Sequence, residues 1–166
     1  MTGIPAKAGV EIIDIDRIYY LIDGLSNLEK DKAVKEGLRA GAYVFLAGGK
    51  RRLRQRMRNK EGVTGNLLRS FKVRVKRTKL GALAGFGKTT DVRKVGFGSD
   101  DGKGYHAHLV DKGTVLRRTK KSNAERGVMP ANYFWTDTIN QDSAKALDEV
   151  YKRTSIAVQR IRMRQQ

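Results

Sequence analysis

The sequence contains no cysteine, which excludes disulfide bonds and thiolate metal sites. It also contains no run approaching the ~18 apolar residues with which a helix crosses a bilayer. Residues 1–5 lack the charged start and apolar core of a secretory signal. We therefore expect a protein that folds in a reducing cytosol and has no membrane partner.

Acidic residues are scarce relative to basic ones. Seventeen Asp and Glu stand against 35 Lys and Arg, which leaves a net charge of +18. Such a chain attracts polyanions, so we expect it beside nucleic acid or acidic protein surfaces, and the charge alone does not choose between them. With 166 residues, 39% of them hydrophobic, the chain is long enough for a single domain with a packed core, spanning residues 1–166.

Hydrophobic periodicity predicts three helices. Apolar residues recur at three- and four-residue steps in a short helix over residues 17–25, a long one over 28–57 and a terminal one over 133–163. Gly48 and Gly49 fall within the long helix. Each glycine there costs about 1 kcal/mol relative to alanine, so we expect a kink or a break at this pair.

The middle of the chain has the period of a β-strand. Residues 71–75 alternate apolar with basic side chains, and residues 92–97 are expected to return as a second strand. Between them, residues 79–91 are glycine-rich and predict a mobile hairpin tip. Residues 105–112 suit a third strand or a short helix, and residues 114–129 predict a long basic loop. This order predicts an α+β fold: N-terminal helices, a small antiparallel β-sheet and a long C-terminal helix packed on it.

Two short motifs suggest chemistry, but the first has the wrong spacing and the second lacks a clear third metal ligand. Residues 85–90 end like a phosphate-binding loop, but the earlier glycine is one residue too far away and the preceding strand is amphipathic. His106 and His108 share a face if residues 105–112 are a strand, whereas Asp111 would then point to the other face. No serine lies in a nucleophile elbow. We therefore predict no catalytic residue, metal site or cofactor, and a protein that is not an enzyme.

Basic residues form three groups. One occupies residues 50–58, and another is the strand face of Lys72, Arg74 and Lys76. Each group alone fits a solvated face, but three groups without compensating acids favour contact with polyanions or acidic neighbours. One tryptophan and scattered tyrosines offer bases little to stack on, so we expect no sequence-specific readout. The third group lies in the long loop and comprises Arg117, Arg118, Lys120, Lys121 and Arg126.

Three segments carry patterns that together resemble a known family. Residues 64–70 read TGNLLRS, residues 105–114 read YHAHLVDKGT, and residues 126–134 read RGVMPANYF. In this order they are similar to the T-G-x-L-x-x-S, Y-A-x-x-x-E-x-G-T and P-x-P-F patterns of the tail-completion and neck proteins of long-tailed bacteriophages. Asp111 replaces the usual glutamate and Tyr133 the second proline. The positions assigned to these patterns are Thr64, Gly65, Leu68, Ser70, Tyr105, Asp111, Gly113, Thr114, Pro130 and Phe134.

The resemblance implies a structural protein of the head–tail neck that completes or terminates the tail tube. It implies a ring of identical subunits, expected to be a hexamer, through which DNA passes. The implied partners are further copies of the chain, the tail-tube protein, head-connector proteins and, by non-specific contact, the passing DNA. The implied location is the virion, after assembly in the host cytoplasm, and the family implies no cofactor.

Two alternatives stay open at this point. A head-closure or adaptor ring of the connector would show the same features, and a basic nucleic-acid-binding protein such as a ribosomal component would show the same charge. The strand face of Lys72, Arg74 and Lys76 is expected to point into a channel or onto a neighbouring subunit, because the alternate apolar residues face the core. A tight grip on DNA would slow its passage, which favours an acidic neighbour.

Overall fold

The computed structural model describes residues 15–57, 65–86, 104, 106–116, 118–119, 122–125 and 127–166. Its elements are α1 (Ile15–Ile22), α2 (Asn27–Arg56), α3 (Asn66–Arg69), β1 (Phe71–Val75), β2 (Ala82–Phe86), α4 (Ala107–Lys112) and α5 (Phe134–Gln165). The two strands form a small antiparallel sheet, and the long helix α5 packs on it. The predicted α+β fold is confirmed. No helix in the described part of the chain is long and apolar enough to cross a membrane.

These elements belong to two compact units. The helical unit comprises the described parts of residues 7–48, 72–85 and 139–166. The second unit, called here the arm unit, comprises the described parts of residues 49–71 and 86–138. The expectation of a single domain stays a prediction.

A capping box starts α2 in the helical unit. The side-chain hydroxyl of Ser26 donates to Oε2 of Glu29 over 2.7 Å, and the Ser26 backbone N–H donates to the same oxygen over 3.1 Å. This S-x-x-E arrangement satisfies donors that the first turn of a helix leaves open. The hydrogen bonds from Ser26 lower the pKa of Glu29 below its usual value.

The core of the helical unit lies between α1, α2 and α5. Its buried side chains come from the three helices and from the turn between α1 and α2, which contributes Leu25: Ile18, Ile22, Leu25, Ala33, Val34, Leu38, Val150, Ala157 and Val158. Gly37 and Gly41 bring α2 close to α5, because a Cβ on Gly37 would lie 2.7 Å from the Val150 carbonyl oxygen. A Cβ on Gly41 would lie 2.9 Å from the Ala146 carbonyl oxygen. The two helices therefore pack backbone against backbone at these positions.

Four aromatic rings form the core of the arm unit. Phe71, Phe86, Phe134 and Trp135 meet in edge-to-face pairs with centroid separations from 4.4 to 6.1 Å. Gly49 makes room for them, since a Cβ there would lie 2.6 Å from the Phe71 ring and 2.9 Å from the Trp135 ring. We expected a kink or a break at the glycine pair, and the break is wrong, because α2 continues to Arg56.

The position of the second strand differs from the predicted hairpin. Its second strand, β2, lies inside residues 79–91, which were expected to form a mobile tip, and the connection is shorter than predicted. The Lys76 N–H donates to the Gly81 carbonyl oxygen over 2.9 Å and closes this turn. Phe86 explains the early strand, since its ring joins the aromatic core. The predicted return strand over 92–97 lies outside the described residues.

Candidate functional site

Asp111 caps the start of α5. Its carboxylate is buried, and Oδ1 accepts hydrogen bonds from the backbone N–H groups of Trp135 over 2.6 Å and Thr136 over 3.2 Å. Its Oδ2 accepts the Thr136 hydroxyl over 2.6 Å. A carboxylate here satisfies open N–H groups and faces the positive end of the helix dipole. The acidic residue at the family's glutamate position therefore has a structural role in this chain.

The segment before α5 is tied to α4 by backbone hydrogen bonds. The Asn132 N–H donates to the carbonyl oxygens of Val110 and Asp111 over 3.1 Å, and the Tyr133 N–H donates to Asp111 over 2.8 Å. Tyr133 has a φ of 54°. Proline is locked near −65°, so it is excluded from this position, and the departure from the P-x-P-F pattern has a backbone cause.

Gly113 and Thr114 close the base of the long loop, called here the arm (residues 114–129). Gly113 has a φ of 75°, and a Cβ there would lie 2.7 Å from the Met129 carbonyl oxygen, so only glycine fits. The Thr114 N–H donates to the Met129 carbonyl oxygen, and the Met129 N–H donates to the Thr114 hydroxyl, both over 2.9 Å. The two ends of the arm are therefore joined to each other beside the Asp111 cap.

The described residues of the arm form no helix and no regular strand, and the two sides of the arm pair in antiparallel orientation. Arg118 and Glu125 form an isolated β-bridge and an ion pair of 2.9 Å, and the Thr119 N–H donates to the Ala124 carbonyl oxygen. The sequence predicts a loop here, but it does not predict which aliphatic side chains of the loop are exposed. Three aliphatic side chains point to solvent: Val115 at 84% exposure, Leu116 at 46% and Val128 at 61%.

The remaining family-motif positions that are described also lie in the arm unit. Gly65 adopts a φ of 69° just before α3, and the buried hydroxyl of Ser70 donates to the Leu67 carbonyl oxygen over 2.8 Å. Phe134 is fully buried, whereas Leu68 is half-buried and Pro130 is exposed. Thr64 and Tyr105 lie outside the described residues. The described motif positions thus share the arm unit, and among them Gly113 and Thr114 contact the far end of the arm.

The basic candidates separate into different environments. Lys72 is half-buried and makes interactions of its own, whereas Arg74 and Lys76 are exposed. Arg118 pairs with Glu125. The loop cations Arg117, Lys120, Lys121 and Arg126 lie outside the described residues.

The cluster at the end of α2 is in part structural. Arg52 is buried and donates to the Thr138 hydroxyl over 3.2 Å. Arg56 donates to the Asn132 carbonyl oxygen over 2.8 Å and pairs with Asp137 over 2.6 Å. The sequence interpretation missed this compensation, because Asp137 lies 81 residues further along the chain.

His106 and His108 do not lie on a strand, so they lack the shared strand face that the metal-site hypothesis requires. Residues 107–112 form α4, and His106 immediately precedes this helix. Within the described residues, no group of three or more histidine, cysteine, aspartate or glutamate side chains is placed to hold a metal ion. Gly85 and Phe86 of the apparent phosphate loop lie in β2, and residues 87–90 lie outside the described part of the chain.

Comparison of the chain with protein-family models, curated proteins and solved structures finds no match. The family resemblance therefore depends on the three segments of the sequence alone.

Proposed function

We propose that this chain is a structural subunit of the head–tail neck of a long-tailed bacteriophage, and that it completes or terminates the tail tube as one member of a ring. The observation that carries the proposal is the arm. Its base is fixed by paired hydrogen bonds between Thr114 and Met129, while Val115 and Val128 remain exposed. An extended segment held this firmly, with aliphatic side chains in water, suits contact with a neighbouring subunit.

The family resemblance supports the same proposal at the level of single residues. Asp111, Gly113 and Thr114 all belong to the second pattern. Gly113 and Thr114 close the base of the arm, and Asp111 caps α5 beside it. One of the three patterns that suggest the family therefore contains the residues that hold the proposed contact element. The virion location and the ring of copies of this chain, expected to be six-fold, follow from the resemblance.

The oligomer can be tested with the full-length protein by light scattering coupled to size-exclusion chromatography. We expect a mass that is a multiple of 18.6 kDa and ring-shaped particles in electron micrographs. Replacing Val115 and Val128 together by serine should abolish the oligomer without unfolding the chain. Leu28 is the matched control, because it is also 84% exposed but lies at the start of α2. A Leu28→Ser variant that dissociates the oligomer equally would contradict the role of the arm.

The location can be tested separately on virions produced by cells that carry the gene. An antibody against the chain should label the junction between head and tail. Label on the capsid surface, or none on the virion, would overturn the neck assignment even if the protein forms rings.

A further inference from the structure

A group of exposed basic residues lies at the turn between β1 and β2. The predicted strand face divides at this point, because Lys72 is half-buried and engaged, whereas the cations further along are exposed. The exposed cations of this turn and of the adjoining end of β1, called here the cationic turn, are Arg74, Lys76, Arg77 and Lys79.

The backbone of this turn is held in place by α2. Lys35 donates from Nζ to the Arg77 carbonyl oxygen over 3.1 Å, and the same ammonium pairs with Asp31 over 3.1 Å. The hydrogen bond between Lys76 and Gly81 closes the turn on its other side. The four side chains therefore extend from a backbone whose position is fixed, which lowers the entropic cost of binding a ligand.

No acidic residue occurs between positions 72 and 86. The four cations make no ion pair with another described residue, while several described carboxylates pair with other cations. A second copy of the chain is a poor counter-charge, because it also carries a net charge of +18. An external partner of the cationic turn would therefore be a polyanion of another kind, either nucleic acid or an acidic protein.

We propose that the cationic turn binds the phosphate backbone of double-stranded DNA. Two of its four cations are lysines, which are depleted at the cores of protein–protein interfaces but suit phosphate as mobile point charges. Because its side chains are exposed, they can contact the regularly spaced phosphates of DNA without burying a polar group. Contacts to phosphate position DNA without reading its sequence. The inference depends on the turn and not on the ring or its location, and it departs from the acidic neighbour that the sequence favours for the strand face.

The test uses two full-length variants of equal net charge. In the first, Arg74, Lys76, Arg77 and Lys79 are all replaced by glutamine. The control variant also loses four positive charges, from exposed residues of α2 and α5 distant in sequence from the turn. Its substitutions are Arg39→Gln, Lys145→Gln, Lys152→Gln and Arg164→Gln. Any difference between the variants then reports on the position of the charges and not on their number.

Binding to fluorescently labelled duplexes of two unrelated sequences is measured by anisotropy from about 50 to 200 mM salt. Each lost phosphate contact lowers the slope of log affinity against log salt by about 0.9. We expect the turn variant to lose about 3 to 4 units of slope on both duplexes, and the control variant to lose less than about 1. Equal losses in the two variants would overturn the proposal.

An acidic protein partner is distinguished by two further measurements. Leu80 lies in the same turn and is 53% exposed, so a protein partner would bury it, whereas phosphate would not. We expect Leu80→Ser to leave DNA affinity unchanged. Polyglutamate serves as the acidic-protein probe. If the turn variant loses more affinity for polyglutamate than for DNA, the proposal is wrong and the turn binds acidic protein.

Discussion

Replacing Asp111 by alanine tests whether the cap on α5 holds the arm unit together. The substitution removes an acceptor for the backbone N–H groups of Trp135 and Thr136 and for the Thr136 hydroxyl. Losing a helix cap costs about 0.5 to 2 kcal/mol, and a buried donor left without a partner costs about 1 to 3 kcal/mol. Because these contributions overlap, we expect the free energy of unfolding to fall by about 2 to 4 kcal/mol.

Urea unfolding followed by far-ultraviolet circular dichroism measures this change. Asp148→Ala is the matched control, since it removes an exposed carboxylate from the same helix and alters the net charge equally. Exposed substitutions of this kind change stability by less than about 0.5 kcal/mol. An Asp111→Ala protein that unfolds at the same urea concentration as Asp148→Ala would refute the cap. Asp111→Asn should fall between them, because it keeps one acceptor oxygen.

Three further outcomes follow from local geometry. Gly37→Ala should lower the free energy of unfolding in urea by about 1 to 3 kcal/mol, because the added Cβ would meet a backbone oxygen. Gly85→Ala is the control and should not lower this free energy, because the space around Gly85 is open. Ser26→Ala should raise the pKa of Glu29 toward 4.5, as measured by an NMR titration. The depressed pKa of Glu29 stabilises the folded protein above pH 4.5, and this stabilisation is lost on acidification. The substitution should therefore reduce it. Tyr133→Pro should prevent stable folding, as judged by circular dichroism, whereas Tyr133→Gly should be tolerated.

Periodicity predicts the elements whose packing is local in sequence. Phe71 and its alternating neighbours predict β1 because one face of the strand contacts a core. The strand β2 was missed because its alanines and Gly85 have the composition of a turn. What makes it a strand is Phe86, whose ring contacts Phe71, Phe134 and Trp135. Such contacts are not visible in a local pattern.

The candidate site shows the same limit. The resemblance singled out Asp111 and Gly113, but not the partners that explain them, because Trp135 lies 24 residues beyond the aspartate. The exposed aliphatic residues of the arm carry no periodic signal, so the basic side chains dominated the interpretation of that loop. Gly37 and Gly41 likewise become meaningful only when α5 supplies the facing backbone.

The attachment of the arm also determines how the molecule would bear load. A force pulling on the arm acts first on the short span between Thr114 and Met129. From there it passes through Gly113 to Asp111, whose carboxylate holds two backbone N–H groups of α5. Tension on the arm would thus reach the first turn of α5 through the Asp111 carboxylate.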